Sequence, residues 1–204
     1  LARQVVANHE SVRAGAWKRS IGVDVWNKTI GVVGTGLIGG GVVRRAHGFS
    51  MRILAYDVVQ KNELVERYGV EYVALERLLR EADFVTLHVN LNRHTHHLIG
   101  AKELSLMKPT AYLINTCRGP VVDEPALVDA LRVSKIAGAG LDVFEREPPV
   151  GSPLLDLPNV VLAPHVAGIS VESQRAMGRM AVDEVLRLGR GEPPLHVVNR
   201  EALA

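Results

Sequence analysis

A single cysteine, Cys117, stands among 204 residues, so no disulfide can close within the chain and a reducing compartment is expected. No apolar run approaches the roughly 20 residues that a membrane-spanning helix needs. These residues show no secretory signal, and a cytoplasmic protein without membrane association is the expectation. Charge of one sign is equally scarce: 24 basic against 22 acidic residues leave a net charge of +2. Only the local pairs Lys18-Arg19 and Arg44-Arg45 are basic, which argues against a nucleic-acid partner. Tryptophan occurs twice, at Trp17 and Trp26, on a connecting segment where packing is the expected role, in the core or against another subunit. There is no internal repeat and no low-complexity segment. What remains, 47% hydrophobic and 23% charged, is the composition of one sizeable globular domain.

The stretch that organises the chain runs from Thr29 to Asp57. Residues 29–33 are β-branched and apolar and read as a buried parallel strand. They lead directly into Gly34-Thr35-Gly36-Leu37-Ile38-Gly39, which fits G-x-G-x-x-G. In that pattern Gly34 serves the tight turn, Gly36 lets the backbone approach a pyrophosphate, and Gly39 lets the following helix, about 37–47, pack close to the strand. The free N–H groups of that helix point at the phosphates. A second strand, 52–56, ends in Asp57. A carboxylate there accepts from both adenine-ribose hydroxyls and repels the additional phosphate of NADP, so the unit reads as an NAD site. Gly40 and Gly41 lie inside the helix at a cost in propensity, which close packing on the sheet would explain.

The alternation continues. Helices are expected at 1–13, 61–68, 75–81, 101–107, 124–132 and 171–188, and strands at 70–73, 84–88, 111–115, 136–143 and 160–163. Seven strands alternating with helices imply an α/β fold, a doubly wound parallel sheet of the Rossmann type with helices on both faces. Ligands in such a sheet sit beyond the carboxyl ends of the strands, so chemistry is sought just after each strand.

That filter selects His88, Thr116-Cys117-Arg118, Asp142, Glu147 and His165. Arg118 can hold a carboxylate in a two-point fork and polarise a neighbouring carbonyl. Cys117 reads as an inert, buried thiol beside the cofactor. Asp142 can accept from the carboxamide of a nicotinamide. His165 is the natural proton donor or acceptor near neutral pH, and Glu147, before two prolines, can hydrogen-bond its ring and favour imidazolium. The H-T-H-H run at His94, His96 and His97 lacks the cysteine or acid needed for a zinc ligand set, and no metal is expected.

Together these residues resemble the NAD-dependent D-2-hydroxyacid dehydrogenase family, which includes D-3-phosphoglycerate dehydrogenases and hydroxypyruvate and glyoxylate reductases. The likeness runs from Ala2–Trp17 through GTGLIGG, Asp57, INTCRGPVVDE, GAGLDVFEREPP and LPNVVLAPHVAG to HVVN at His196–Asn199. The resemblance implies that Arg118 binds the substrate carboxylate and carbonyl, that Glu147 orients and charges His165, and that His165 passes the proton. It further implies that Leu37 and Ile38 touch the pyrophosphate, Asp57 the ribose, Val89, Thr116 and Cys117 the nucleotide, and Asp142 the carboxamide, all within a cofactor segment between Gly34 and Gly168. Leu37 stands where many members carry arginine, and Asn90 where proline is usual. Members carry roughly a further hundred residues ahead of this point, a substrate domain, so residues 1–204 are expected to be the dinucleotide-binding domain alone. The resemblance also implies a small 2-oxo or 2-hydroxy acid substrate, a phosphoglycerate dehydrogenase-like activity in serine biosynthesis, and a homodimer. An NAD-sensing transcriptional corepressor of the same fold is the alternative, as is a hydroxypyruvate or glyoxylate reductase.

Overall fold

Short apolar runs separated by amphipathic segments fold here into strands and crossover helices. The computed structural model describes residues 1–199. Its strands are Thr29–Val33 (β1), Arg52–Tyr56 (β2), Glu71–Tyr72 (β3), Phe84–Leu87 (β4), Tyr112–Asn115 (β5), Gly138–Leu141 (β6) and Val160–Leu162 (β7). Its helices are Val5–Arg13 (α1), Leu37–Gly48 (α2), Asn62–Tyr68 (α3), Leu75–Glu81 (α4), Ala101–Leu106 (α5), Glu124–Arg132 (α6) and Val171–Gly189 (α7). All neighbouring strands pair in parallel, in the order β3-β2-β1-β4-β5-β6-β7.

Successive strand residues point to opposite faces, and both faces are covered. Val32, Ile53, Ala55 and Phe84 pack with Val43 and Ala46 of α2 and Leu64 of α3. Val33, Leu54, Val85 and Leu87 pack with Leu78 and Leu79 of α4, Leu104 of α5 and Leu127 and Leu131 of α6. Each of these leucines contributes about 1.5–3 kcal/mol on leaving water. The fold is therefore the doubly wound sheet that the alternation implied.

Register sets the position of the site. Tyr56, Val33, Leu87, Asn115, Leu141 and Leu162 form one row of paired residues across the sheet. The chain therefore leaves six strands at a common carboxyl rim, and the order reverses between β1 and β4, the switch point at which such sheets bind ligands.

Several boundaries differ from expectation. The apolar stretch 136–143 forms a strand only over Gly138–Leu141, because beyond it the chain turns to bring Phe144 over Gly119. Helix α1 begins at Val5 rather than at residue 1, with Gln4 in a left-handed conformation. Trp17 and Trp26 are 76% and 63% exposed, so neither belongs to the core of this chain. At Gly41 only the flexible end of Arg45 approaches, so close packing does not explain that glycine. The chain forms two compact units, Leu1–His165 and the segment from Val166 onward. The second unit contains α7, capped by Ser170, whose hydroxyl accepts from Ser173 N–H at 3.0 Å. Among the described residues no helix is long and apolar enough to cross a membrane.

Candidate active site

The first wall is the turn from β1 into α2. Gly34 sits at φ 90°, and a Cβ there would lie 2.6 Å from the His88 carbonyl oxygen. A Cβ on Gly39 would overlap the Gly34 carbonyl oxygen, so the third motif glycine permits the helix to start this close to the strand. Gly36 has no heavy atom within 4 Å of a Cβ position; its backbone faces open space at the N-terminus of α2, where helix N–H groups lack intrahelical partners. Leu37 and Ile38 are both exposed there.

Asp57 follows β2 and is held firmly. Its Oδ2 accepts from the Thr35 main-chain N–H and, at 3.0 Å, from the Thr35 hydroxyl, and its Oδ1 accepts from Val59 N–H at 3.0 Å. Partial burial works to raise the carboxyl pKa, but the hydrogen bonds from Thr35 and Val59 together hold it below the ordinary aspartate value.

A cleft of about 350 Å³ opens beside this turn, lined by Ile38, by 88–91 after β4 and by 116–118 after β5. Ile38, Val89, Thr116 and Cys117, four of the residues expected at the cofactor, thus share one cleft with Arg118. His88 donates to or accepts from Thr86 Oγ1 at 2.9 Å, and burial lowers its pKa to about 4, so it lines the cleft as a neutral ring. Burial raises the pKa of Cys117, whose thiol donates to Asn115 Oδ1 at 3.1 Å. Exposed Arg118 donates from Nη1 to the Cys117 carbonyl at 2.6 Å; among the described residues no carboxylate reaches ion-pair distance of it.

The expected acid–base pair lies on the segments that follow β6 and β7. His165 Nδ1 and Glu147 Oε2 are 2.8 Å apart, with the two side chains 50% and 40% exposed. Glu147 also accepts from Phe144 N–H at 3.1 Å. The His165 hydrogen bond is the main cause that lowers the Glu147 pKa, against the opposing effect of burial. His165 occupies a left-handed backbone conformation, φ 56°, uncommon outside glycine and enriched at functional positions. Its N–H donates to the Asp142 carbonyl at 2.8 Å, and Asp142 N–H donates to Asn115 O at 3.0 Å. Asp142 itself is 5% exposed. Gly168 lies in the second unit.

Three arrangements escaped the sequence reading. Buried Asn115 shapes the Arg118 turn: its Nδ2 donates to Arg118 O at 2.9 Å and its Oδ1 accepts from Cys117 N–H at 3.0 Å. Gly119 has no room for a Cβ, which would run into the Phe144 main chain, so the loops bearing Arg118 and Glu147 pack backbone to backbone. The histidine run splits its partners: His94 Nε2 accepts from Arg93 at 2.9 Å, the rings of His96 and His97 stack with centroids 4.0 Å apart, and His97 Nε2 meets Glu145 Oε1 at 2.7 Å, an acid that the local sequence did not show.

Residues 1–167 match the family model described as D-isomer specific 2-hydroxyacid dehydrogenase, NAD binding domain. The chain belongs to that family. It is 50% identical over 209 residues to a glyoxylate reductase of Korarchaeum cryptofilum, covering 99% of this chain and 63% of the relative, so it spans less than two thirds of that protein's length. Among solved structures it is similar to a glyoxylate reductase from Paecilomyes thermophila, with TM-score 0.89, 38% identity, and coverage of 98% of this chain and 61% of the other. It is also similar to D-lactate dehydrogenase with NAD+ from Lactobacillus jensenii, with TM-score 0.87, 32% identity, and coverage of 97% and 64%. The dehydrogenase cofactor is NAD, and the residues present fit it: an open Gly36 backbone at a helix N-terminus, an anchored ionised Asp57, and a cleft at the switch point.

Proposed function

We propose that the whole protein is an NAD-dependent reductase of small 2-oxo acids, of the glyoxylate or hydroxypyruvate type. The observation that carries this reading is the Glu147–His165 pair, 2.8 Å apart, with Glu147 after β6, the strand next to the one that carries Arg118, and His165 after β7, the strand beyond it. NADH held in this cleft would supply the hydride for the carbonyl carbon of the substrate. Arg118 holds the substrate carboxylate and polarises the carbonyl through its fork of N–H donors. Glu147 takes Nδ1 of His165 and so presents Nε2 to the carbonyl oxygen, which receives the proton as the hydride arrives. Ile38 with Val89, Thr116 and Cys117 bounds the space for the nucleotide, and Asp142 receives the carboxamide.

The relatives named glyoxylate reductase support small 2-oxo acids ahead of the phosphorylated substrate of a phosphoglycerate dehydrogenase in serine biosynthesis. The test is a screen of the whole protein with NADH against glyoxylate, hydroxypyruvate, pyruvate and phosphohydroxypyruvate. Turnover of the first two at the highest kcat/KM is expected. Absence of turnover on all four would favour the corepressor reading, in which NAD binding regulates assembly. We further propose cytoplasmic action, on the single cysteine, and a homodimer that covers the exposed Val5, Val6 and Val12 of α1 and Trp17. The chain of 204 residues binds NAD without turnover, because positioning the 2-oxo acid against the nicotinamide requires a second wall.

A further inference from the structure

Asp57 is supported by an ordered set of donors that begins on other strands and loops. Thr35, the residue between the first two motif glycines, is fully buried, and its hydroxyl lies 3.0 Å from Asp57 Oδ2 and 3.0 Å from the Tyr72 hydroxyl. Tyr72, on β3, receives the main-chain N–H of Lys61 at 3.1 Å. The direction of the chain follows from its ends. An amide N–H can only donate and an ionised carboxylate can only accept. The Tyr72 oxygen therefore accepts from Lys61, its hydrogen turns to Thr35 Oγ1, and the Thr35 hydrogen turns to Asp57. Every hydroxyl is used once as donor, and the last donor meets the charge.

We propose that Thr35 and Tyr72 are positioning residues that fix the Asp57 carboxylate for a ribose with a free 2′-hydroxyl and thereby set the preference for NAD over NADP. Discrimination against a 2′-phosphate needs a negative charge held in place, since a side chain free to rotate moves aside and its repulsion is screened. Gly36 leaves the ligand side of the turn open while Thr35 reaches inward, so two adjacent residues divide the approach of the cofactor and the anchoring of its selector. The proposal rests on the NAD reading of this site.

The test titrates NADH and NADPH into the chain by calorimetry, with thermal melts run in parallel. Parental protein that prefers NADPH would overturn the NAD reading itself, before any substitution is made. With the parent preferring NADH, Thr35→Val keeps the shape and removes the hydroxyl. NADH affinity is expected to fall about threefold to tenfold, the net worth of one such hydrogen bond, and NADPH affinity to change less than twofold. Tyr72→Phe should shift the ratio the same way by less, and Thr35→Ser should restore it. In an Asp57→Asn background, Thr35→Val should leave the ratio unchanged, because the effect runs through that carboxylate. Equal losses for both nucleotides, an unchanged ratio, or a full Thr35→Val effect without the Asp57 charge would overturn the proposal. Should Thr35→Val fail to fold, Tyr72→Phe with a parental ratio would overturn it alone.

Discussion

Adjacent glycines in α2 should respond to alanine in opposite directions. Gly39 and Gly40 are both buried and both helical, so helix propensity favours alanine at each by about 1 kcal/mol. At Gly40 the added methyl would lie 3.7 Å from the Thr35 carbonyl oxygen and 3.9 Å from the Leu64 methyls, ordinary contacts that add burial. At Gly39 it would fall on the Gly34 carbonyl oxygen, which is main chain and cannot rotate away. Relief there requires α2 to move off β1, which places the cost near or above the top of the about 1–3 kcal/mol typical of overpacking. Gly40→Ala should therefore raise Tm by about 2–4 °C, and Gly39→Ala, with a net loss of about 2 kcal/mol, should lower it by about 4–8 °C. Movement of the helix also displaces the N–H groups proposed to face the pyrophosphate, so NADH affinity should collapse in Gly39→Ala and persist in Gly40→Ala. Circular dichroism melts and calorimetric titration measure both. Parental stability and affinity in Gly39→Ala, or shifts of the same sign in the two variants, would refute the close-approach reasoning.

The neutral His88 gives a pH signature. With its folded pKa depressed from 6.5 to about 4, the unfolded chain binds the proton first; stability is full above 6.5 and falls with pH between 6.5 and 4. His88→Gln should flatten that limb in urea titrations at successive pH values, and an unchanged slope would count against it. In the whole protein, His165→Ala and Arg118→Ala should each lower kcat/KM by about 10²–10⁴, and steady-state rates near parental for both would remove the acid–base assignment. Light scattering at micromolar concentration should return a dimer that Trp17→Asp dissociates; a monomeric parent would leave Trp17, 76% exposed, without its proposed cover.

Motif glycines, Asp57 and the strand ends were legible in the sequence because each depends on local chemistry: a turn that needs glycine, an acid after a strand, a polar residue after an apolar run. The pairings that support them were not. His97 meets Glu145 across 48 residues, and Tyr72 meets Thr35 across 37. No periodicity encodes such distances; the sheet register creates them. The Arg118 turn shows the same limit, since the strict demand for glycine at Gly119 arises from Phe144, which belongs to a loop after the next strand. For the tryptophans the core half of the reading fails: their intrinsic tendency to be buried is not met within this chain, where Trp17 and Trp26 are exposed.

The two outermost strands are also the two shortest: β3 is Glu71–Tyr72 and β7 is Val160–Leu162. Beside β3, Arg52 grips Glu71 at 2.9 and 3.1 Å, and Arg77 reaches the same carboxylate at 3.2 Å. Few unpaired main-chain groups are thus offered at either margin, and one margin carries charge, the combination that resists strand addition and amyloid-like stacking. A parallel sheet folds slowly and exposes its margins while it does so. Truncated borders protect that interval, and they leave helical surfaces rather than sheet continuation as the route by which copies of this chain can assemble.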